Sequence, residues 1–202
     1  GQRAFRWTAS AGLQNLGVLE GGWYSFGHAI NATGNAIAGY SNSTLGVRAF
    51  RWMPAGGLED LGLLDGGVDS FAMAISGDGA AIAGFGSTAG GDHAFLWTPA
   101  SGMLDLGVLP GGRSSTALGI SADGSTVVGS SDSPAGRRAV RWLGAGNIQL
   151  LGTIAEGRDS FACAASADGS SVVGCAGTGT GDRAFVWTAG GGMTEIGTLA
   201  GC

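Results

Sequence analysis

Lysine is absent from this chain of 202 residues, so all ten of its cations are arginine. That absence excludes a Schiff-base lysine and a phosphate-loop lysine. Charged residues supply 12% of the sequence, about half the usual share. The formal net charge of −5 gives no basic stripe along the chain, and we therefore expect no nucleic-acid partner.

Long apolar stretches are missing as well. No run approaches the roughly 20 apolar residues that a membrane helix needs, so we predict no membrane insertion. No signal-peptide pattern is present at Gly1, and we interpret the chain as a mature or excised segment.

Stretches free of glycine are rare, because the chain contains 42 glycines. Glycine in a helix interior costs about 1 kcal/mol relative to alanine, which disfavours helices throughout. The chain does not have a disordered composition either, since 44% of it is apolar. Glycine-rich turns between short apolar segments instead predict an all-β fold.

What the sequence does contain is a repeat with a period of 45 residues and no insertion. An aromatic pair recurs at Phe5 and Trp7, Phe50 and Trp52, Phe95 and Trp97, and Phe185 and Trp187, with Val140 and Trp142 in the fourth copy. Such a period is typical of stacked supersecondary units. We predict one repeat domain over 1–202, with units at approximately 4–48, 49–93, 94–138 and 139–183 and a half unit at 184–202.

Each unit is predicted to form four strands. In the third copy we expect them at 94–98, 103–109, 115–121 and 126–130, with Asp123-Gly124 as the hairpin between the last two. Four strands in about 45 residues correspond to one blade of a β-propeller. The alternative is an open stack of the same units that forms a fibre, because periodicity alone does not distinguish the two.

The units resemble the HAF repeat, a bacterial extracellular repeat family. His93-Ala94-Phe95 is the family's His-Ala-Phe motif, and the other copies carry arginine in place of the histidine. The downstream Leu-Gly, Gly-Gly, Ser-x-Asp-Gly and Val-Val-Gly motifs extend the resemblance over the whole chain. It implies secretion or cell-surface display and a propeller-like fold. The family carries no established catalytic residues, so none is transferred.

Catalytic and metal-binding patterns are weak in this sequence. His28 and His93 occupy different positions of the repeat, and no converging ligands at metal-site spacing are evident. Acids, bases and nucleophiles neither recur nor cluster. We therefore predict no enzymatic activity, no metal and no cofactor.

Aromatic residues give the strongest indication of a binding site. The recurring tryptophans favour a core between units over a carbohydrate-stacking platform. Trp23 differs, because it precedes Tyr24 at a position that Val68, Arg113 and Arg158 hold in the other copies. We predict Trp23 and Tyr24 as a candidate ligand-stacking pair, with a glycan or a protein as the ligand.

Two modifications are also predicted. Asn31-Ala32-Thr33 and Asn42-Ser43-Thr44 match the N-glycosylation pattern, and both lie at expected turns. Chance matches are common for so short a pattern. Cys163 and Cys175 flank the Asp168-Gly169 hairpin and are expected to face each other in a disulfide, the alternative being two buried free thiols.

The repeat count predicts self-assembly. The chain contains five copies of the first half-unit and four copies of the second, so either 1–22 or 184–202 lacks a partner. Another copy of the chain would supply it in a head-to-tail contact, and Cys202 would reinforce that junction through an interchain disulfide. An excerpt from a longer array explains the same count. The sequence thus favours a non-enzymatic, secreted structural or interaction protein, with a propeller binding module as the alternative.

Overall fold

A computed structural model describes residues 1–154, 157 and 159–197 of the chain. These residues form 18 strands and no helix, and none of them builds a helix long and apolar enough to cross a membrane. The strands are β1 (Phe5–Thr8), β2 (Gly12–Asn15), β3 (Ser25–Ile30), β4 (Ile37–Ser43), β5 (Gly46–Met53), β6 (Gly57–Asp60), β7 (Ser70–Ile75), β8 (Ile82–Ser87), β9 (Asp92–Thr98), β10 (Gly102–Asp105), β11 (Ser115–Ile120), β12 (Val127–Ser133), β13 (Gly136–Trp142), β14 (Ile148–Gly152), β15 (Ser160–Ala165), β16 (Ser171–Thr178), β17 (Gly181–Thr188) and β18 (Gly192–Glu195).

The strands build five antiparallel sheets, each from strands consecutive in the chain. β1 and β2 form a two-stranded half-sheet, and four-stranded sheets follow at β3–β6, β7–β10, β11–β14 and β15–β18. The expectation of an all-β fold with four-stranded sheets is confirmed. The N-terminal pair, and not the C-terminal one, is left without further strands.

The sheets divide the repeat at a different place from the units of the sequence analysis. Units 4–48, 49–93, 94–138 and 139–183 start near the Phe-x-Trp strand, whereas the four complete sheets start at Ser25, Ser70, Ser115 and Ser160. The reason is the short turn between the second and third strands, such as the one from Ser43 to Gly46, which forces these two strands to pair as a hairpin. Segment 184–195 therefore completes the last sheet.

All four predicted strands of the third copy are present, but the second one is shorter than expected. β10 ends at Asp105 because Gly107 has a φ of 75°, outside the range of an extended strand. The Asp105 carboxylate accepts a hydrogen bond from the Gly107 N–H at 2.7 Å and fixes this bend. The Asp123-Gly124 hairpin forms as predicted, with Gly124 at a φ of 76°.

Adjacent sheets pack face to face through small residues of one sheet and aromatic residues of the next. Ala38 and Ala49 of one sheet lie in a buried cluster with Phe95 and Trp97 of the following sheet. The first interface repeats the arrangement, since Ala4 beside the half-sheet packs with Phe50 and Trp52. The core is therefore a series of interfaces between sheets.

A serine at the start of each complete sheet joins it to the sheet before. Its hydroxyl accepts a hydrogen bond from a backbone N–H of the preceding sheet at 2.9 Å and donates one to a carbonyl group at 2.6–2.9 Å. The four serines, all buried, are Ser25, Ser70, Ser115 and Ser160. Each hydroxyl thereby satisfies a buried backbone N–H and a partly buried carbonyl group.

The hairpin tips of consecutive sheets also bond to one another. Gly77 N–H donates to Ala122 O at 2.8 Å, and Ala32 N–H donates to Gly77 O at 3.2 Å. Asp123 N–H continues the series to Ala167 O at 3.1 Å. The first strands therefore lie side by side in chain order, as the innermost strands of neighbouring propeller blades do.

Candidate functional site: an open groove and an aromatic strip

The two ends of the series of sheets expose residues that are buried everywhere between them. Trp52, Trp97, Trp142 and Trp187 are at most 5% exposed, as expected for a core between units, but Trp7 is 65% exposed. Phe5 is 61% exposed, while Phe50 is fully buried. The half-sheet thus presents the aromatic face of an interface with no sheet before it.

The opposite end of the chain presents the complementary, small-residue face. Ala184 and Ile196 are exposed, whereas their counterparts Ala4 and Leu16 are buried against Phe50 and Trp52. Val173 on the same face is also exposed. The two end faces therefore do not cover each other within the chain.

At the N-terminal end three adjoining cavities form one groove between β1 and β3. Cavities of about 390 and 370 Å³ share Gln2 and Phe26 in their linings. The second shares Phe5 and Gly27 with a third cavity of about 210 Å³, which extends to Trp7. We call this continuous depression the N-terminal groove. It occupies the position that the first two strands of a sheet take elsewhere in the fold.

The walls of the groove are fixed by hydrogen bonds. Ala4 N–H donates to the Ser25 hydroxyl at 2.9 Å, and Ser25 N–H donates to Gln2 O at 3.1 Å. The Arg3 guanidinium donates to the carbonyl group of Trp23 at the upper end of the groove, which is the end lined by Gly1 and Trp23. The groove is therefore held open by the same contacts that join complete sheets.

The predicted Trp23–Tyr24 pair lies at this upper end and belongs to a longer series of aromatic rings. Trp23 is 65% exposed and meets Tyr24 edge to face, with ring centroids 4.9 Å apart. Further aromatic rings follow with neighbouring ring centroids 5.0–5.8 Å apart, and the His28 ring stacks on the Tyr40 ring at 5.2 Å. We call the whole series the aromatic strip, consisting of Trp23, Tyr24, Phe26, His28, Tyr40, Phe71 and Phe85.

Asn42, one of the two predicted glycosylation sites, supports the loop that carries this pair. Its side-chain oxygen accepts hydrogen bonds from Trp23 N–H at 2.9 Å and from Tyr24 N–H at 2.8 Å. The side chain lies half-buried on β4 instead of at a free turn. Asn42 therefore has a structural role in positioning the candidate ligand-binding residues.

Asn31, the other predicted glycosylation site, is only 5% exposed. Its side-chain oxygen accepts hydrogen bonds from Asn35 N–H and Ala36 N–H, while its amide group donates to Thr33 and Asn35. A glycan on this nitrogen would require the hairpin to open, so the geometry opposes the prediction. Asn31 instead closes the hairpin that serines close in the other copies.

Cys163 and Cys175 are free thiols in the structure, and the expectation that they lie directly opposite each other is wrong. The disulfide itself stays a prediction. A β-bulge at Cys163 shifts the register between Ala162 and Ala164, so that Cys175 lies opposite Phe161. Burial raises the pKa of the Cys175 thiol, and the neighbouring Cys163 thiol raises it further. Cys202 lies outside the described residues, and its predicted interchain bond stays a prediction.

The aspartates with shifted pKa values lie in hairpin turns. Hydrogen bonds from Ser166 and Ser170 lower the pKa of Asp168 to about 2, and equivalent bonds lower the pKa values of Asp78 and Asp123. The described residues contain no group of three or more His, Cys, Asp or Glu that could hold a metal ion. His93, at the family's histidine position, makes a 2.7 Å contact with the Asp105 carboxylate on the exposed strand β10.

Sequence reasoning missed both the serine series and the groove, and only the serine series leaves a trace in the repeat. Ser25, Ser70, Ser115 and Ser160 occupy one register of the 45-residue period, and a small polar residue that is the same in all four copies indicates a recurring hydrogen bond. The groove has no such trace, because it depends on which strands are absent beside Phe5.

No family model matches the chain, so the HAF-repeat resemblance stays a prediction from the sequence. No curated protein matches it either. Solved structures do show similar folds. TolB from Acinetobacter baumannii is 16% identical, with a TM-score of 0.59 over 94% of this chain and 47% of that one.

Two further structures agree. A protein assigned as TolB from Agrobacterium tumefaciens is 17% identical, with a TM-score of 0.66 over 98% of this chain and 80% of its own. Dipeptidyl peptidase 4 from Porphyromonas gingivalis is 13% identical, with a TM-score of 0.58 over 89% of this chain and 27% of its own. The chain thus spans about half the length of the Acinetobacter protein. Its fold is β-propeller-like and similar to that of these TolB structures.

Proposed function

We propose that this chain is a non-catalytic interaction module of the β-propeller type that acts at the cell surface or in the extracellular space. Its principal partner in this proposal is another copy of the chain, bound head to tail. The resemblance to HAF repeats supports the location. The exposed aromatic residues Phe5 and Trp7 at one end of the chain carry the proposal of contact between copies.

The proposed contact repeats an interface that the chain already uses. Phe50 and Trp52 are buried against Ala4 and Leu16, and the exposed Ala184 and Ile196 occupy the same positions at the other end of the chain. Phe5 and Trp7 of one copy would therefore pack on Ala184 and Ile196 of the next. Burying an aromatic side chain contributes roughly 25 cal/mol per Å² of apolar surface, which favours the contact.

Light scattering with two exposed-face variants tests this proposal. We expect the mass of the wild-type chain to rise with concentration, and Trp7→Ser or Ile196→Ser to block this rise, since each removes one of the two faces. A mixture of the two variants retains one intact interface and should stop at dimers. Leu45→Ser, in an exposed turn between β4 and β5, is the matched control and should behave as wild type.

Two results would refute self-association through these faces. One is a wild-type chain that stays monomeric at every concentration. The other is a Trp7→Ser variant that associates as strongly as wild type, which would place the contact elsewhere.

A second candidate function, glycan or protein binding by the aromatic strip, is favoured by the exposure of Trp23. A half-buried Tyr24 beneath an exposed indole gives the amphipathic ring surface that glycan-binding sites use. A glycan array would show a specific hit that Trp23→Ala abolishes. Val68→Ala, at the same position of the next copy and equally exposed, should leave the hit unchanged.

A further inference from the structure

The edge of β1 that borders the N-terminal groove is a strand edge without a partner. Among the described residues β1 pairs only with β2, on one side, through the register from Phe5 and Asn15 to Thr8 and Gly12. The third strand of each complete sheet pairs on both sides. A free edge of this kind accepts an added strand through main-chain hydrogen bonds.

The four complete sheets show which residues such a strand must carry. Opposite each tryptophan of the third strand lies a β-branched residue, at Ile37, Ile82, Val127 and Val172. Two positions further along lies a glycine, at Gly39, Gly84, Gly129 and Gly174. The glycine faces the phenylalanine of the third strand in three sheets and Val140 in the fourth.

Steric contacts explain why the second position must be glycine. A Cβ atom on Gly84 would lie 2.9 Å from the Phe95 ring and 2.0 Å from the carbonyl oxygen of Phe71. On Gly174 it would lie 2.8 Å from the Phe185 ring and 1.9 Å from the carbonyl oxygen of Phe161. Any side chain here would separate the strand from both of its neighbours.

The groove also has room for a strand beyond the one that would pair with β1. It extends from Phe5 and Trp7 across to Phe26 and Ile30 on β3. Ile30 is exposed, whereas its counterparts Ile75 and Ile120 pack against buried clusters. In the complete sheets a two-stranded hairpin covers these residues. A head-to-tail contact made by the outer strands alone would leave this inner part of the groove empty.

We infer that the N-terminal groove binds a β-hairpin with the pattern of the first two strands of each complete sheet, in which a β-branched residue faces Trp7 and a glycine faces Phe5. The inference rests on the proposed function, because it names the partner chemistry of the same exposed face. Continuity with the interfaces inside the chain supports it, since that hairpin fills the corresponding position in all four complete sheets.

Peptide binding to the full chain tests the inference. The probe is a synthetic peptide of residues 70–87, which contains no tryptophan and in the fold pairs with the Phe95 and Trp97 strand. We expect saturable binding, measured by the anisotropy of a labelled peptide. Hydrogen exchange should show new protection of the Phe5 and Trp7 amides, whose N–H groups point away from β2, because strand addition forms main-chain bonds there.

The matched control is the same peptide with Gly84→Val. This change raises both apolar surface and β-propensity, so non-specific apolar contact would strengthen its binding. Strand addition in the proposed register predicts the opposite, a loss of at least about tenfold. Phe5→Ser in the protein, at an exposed position, should weaken the wild-type peptide while leaving the protein folded.

The outcomes separate this inference from the proposed function. Equal or tighter binding of the Gly84→Val peptide, or no binding of the wild-type peptide by a chain that still self-associates, would overturn the hairpin inference alone. Specific peptide binding by a chain that stays monomeric would uphold the inference and refute contact between copies.

Discussion

The half-sheet β1–β2 and the strand pair β9–β10 contain the same motif and pair in the same way, yet only one of them is buried. Phe5 lies opposite Asn15 and Trp7 opposite Leu13, just as Phe95 lies opposite Asp105 and Trp97 opposite Met103. Phe95 and Trp97 are buried, whereas Phe5 and Trp7 are mostly exposed. Local sequence therefore determines the hairpin, and the neighbouring sheet determines whether its aromatic face is core or surface.

The largest expected effect comes from replacing Trp97, the buried tryptophan of this comparison. The same replacement at the exposed Trp7 is its control. Trp97→Ala should lower the free energy of unfolding by about 3–5 kcal/mol, because it leaves a cavity in a buried cluster. Trp7→Ala should change it by less than about 0.5 kcal/mol. Urea denaturation measures both, and equal losses would show that Trp7 is covered in solution.

The second prediction concerns the serine that joins neighbouring sheets. Ser70→Ala should cost about 1–3 kcal/mol, since it removes the partner of the buried Ala49 N–H and of the partly buried Gly62 carbonyl group. Ser101→Ala, at an exposed hydroxyl in the β9–β10 turn, should stay within about 0.5 kcal/mol. Chemical denaturation of the two variants distinguishes a hydrogen bond between sheets from a local turn contact, and equal losses would contradict this assignment.

A smaller effect is expected for the arginine that covers a tryptophan across an interface. The Arg51 guanidinium lies 4.7 Å from the centre of the Trp97 ring, whereas Trp7 has no preceding sheet to supply one. Arg51→Leu should lower the free energy of unfolding by about 0.5–1 kcal/mol. We expect the loss to be small because the equivalent position at the next interface is Leu96, so a leucine is accepted in place of the arginine there.

Arg137→Leu is the control for this change. Its guanidinium pairs with Asp132 at the surface, and exposed pairs of this type contribute about 0–1 kcal/mol. Thermal unfolding at low and high salt separates the two variants. Arg51 also pairs with Glu59 at 2.7 Å, so part of its effect should weaken as salt rises, as the pair at Arg137 does. The loss that remains at high salt is due to the contact with the ring, and an Arg51→Leu variant that loses nothing at high salt would contradict that contact.

The smallest effect is a difference in pH dependence between two hairpins. The pKa of Asp168 is lowered to about 2 from its usual 3.8, so its stabilising contribution is present above about pH 4 and is lost as the pH falls toward 2. Asp168→Asn should therefore flatten the fall of Tm over this range. Asp65→Asn in an exposed loop is the control, and a wild-type profile for Asp168→Asn would contradict the prediction.

The corresponding hairpin of the first sheet needs no charge. There the Asn31 amide closes the turn that Ser166 and Asp168 close in the last sheet. We expect the β3–β4 hairpin to keep its protection from hydrogen exchange at a pH where the β15–β16 hairpin has lost part of its own.

The repeat made the strands and hairpins predictable, because turn chemistry is local. Asp123-Gly124 indicated its hairpin correctly, and the Phe-x-Trp motif indicated a strand with an interface on one face. The end of β10 was missed, since the bend at Gly107 depends on a hydrogen bond from its N–H to the Asp105 side chain. Cys163 and Cys175 were expected to face each other, but a β-bulge at Cys163 shifts the register by one residue and places Phe161 opposite Cys175.

The sequence by itself determined the repeat, the strand content and the pairing of each short hairpin, since these follow from turn residues and from the alternation of side chains along the chain. Only the tertiary structure decided how the strands are grouped into sheets, and that the pair beginning at Phe5 is the one left incomplete. It also decided that Trp7 is surface while Trp97 is core. The physical reason is that burial depends on a neighbouring sheet, and the residues of a strand do not specify whether that neighbour is present.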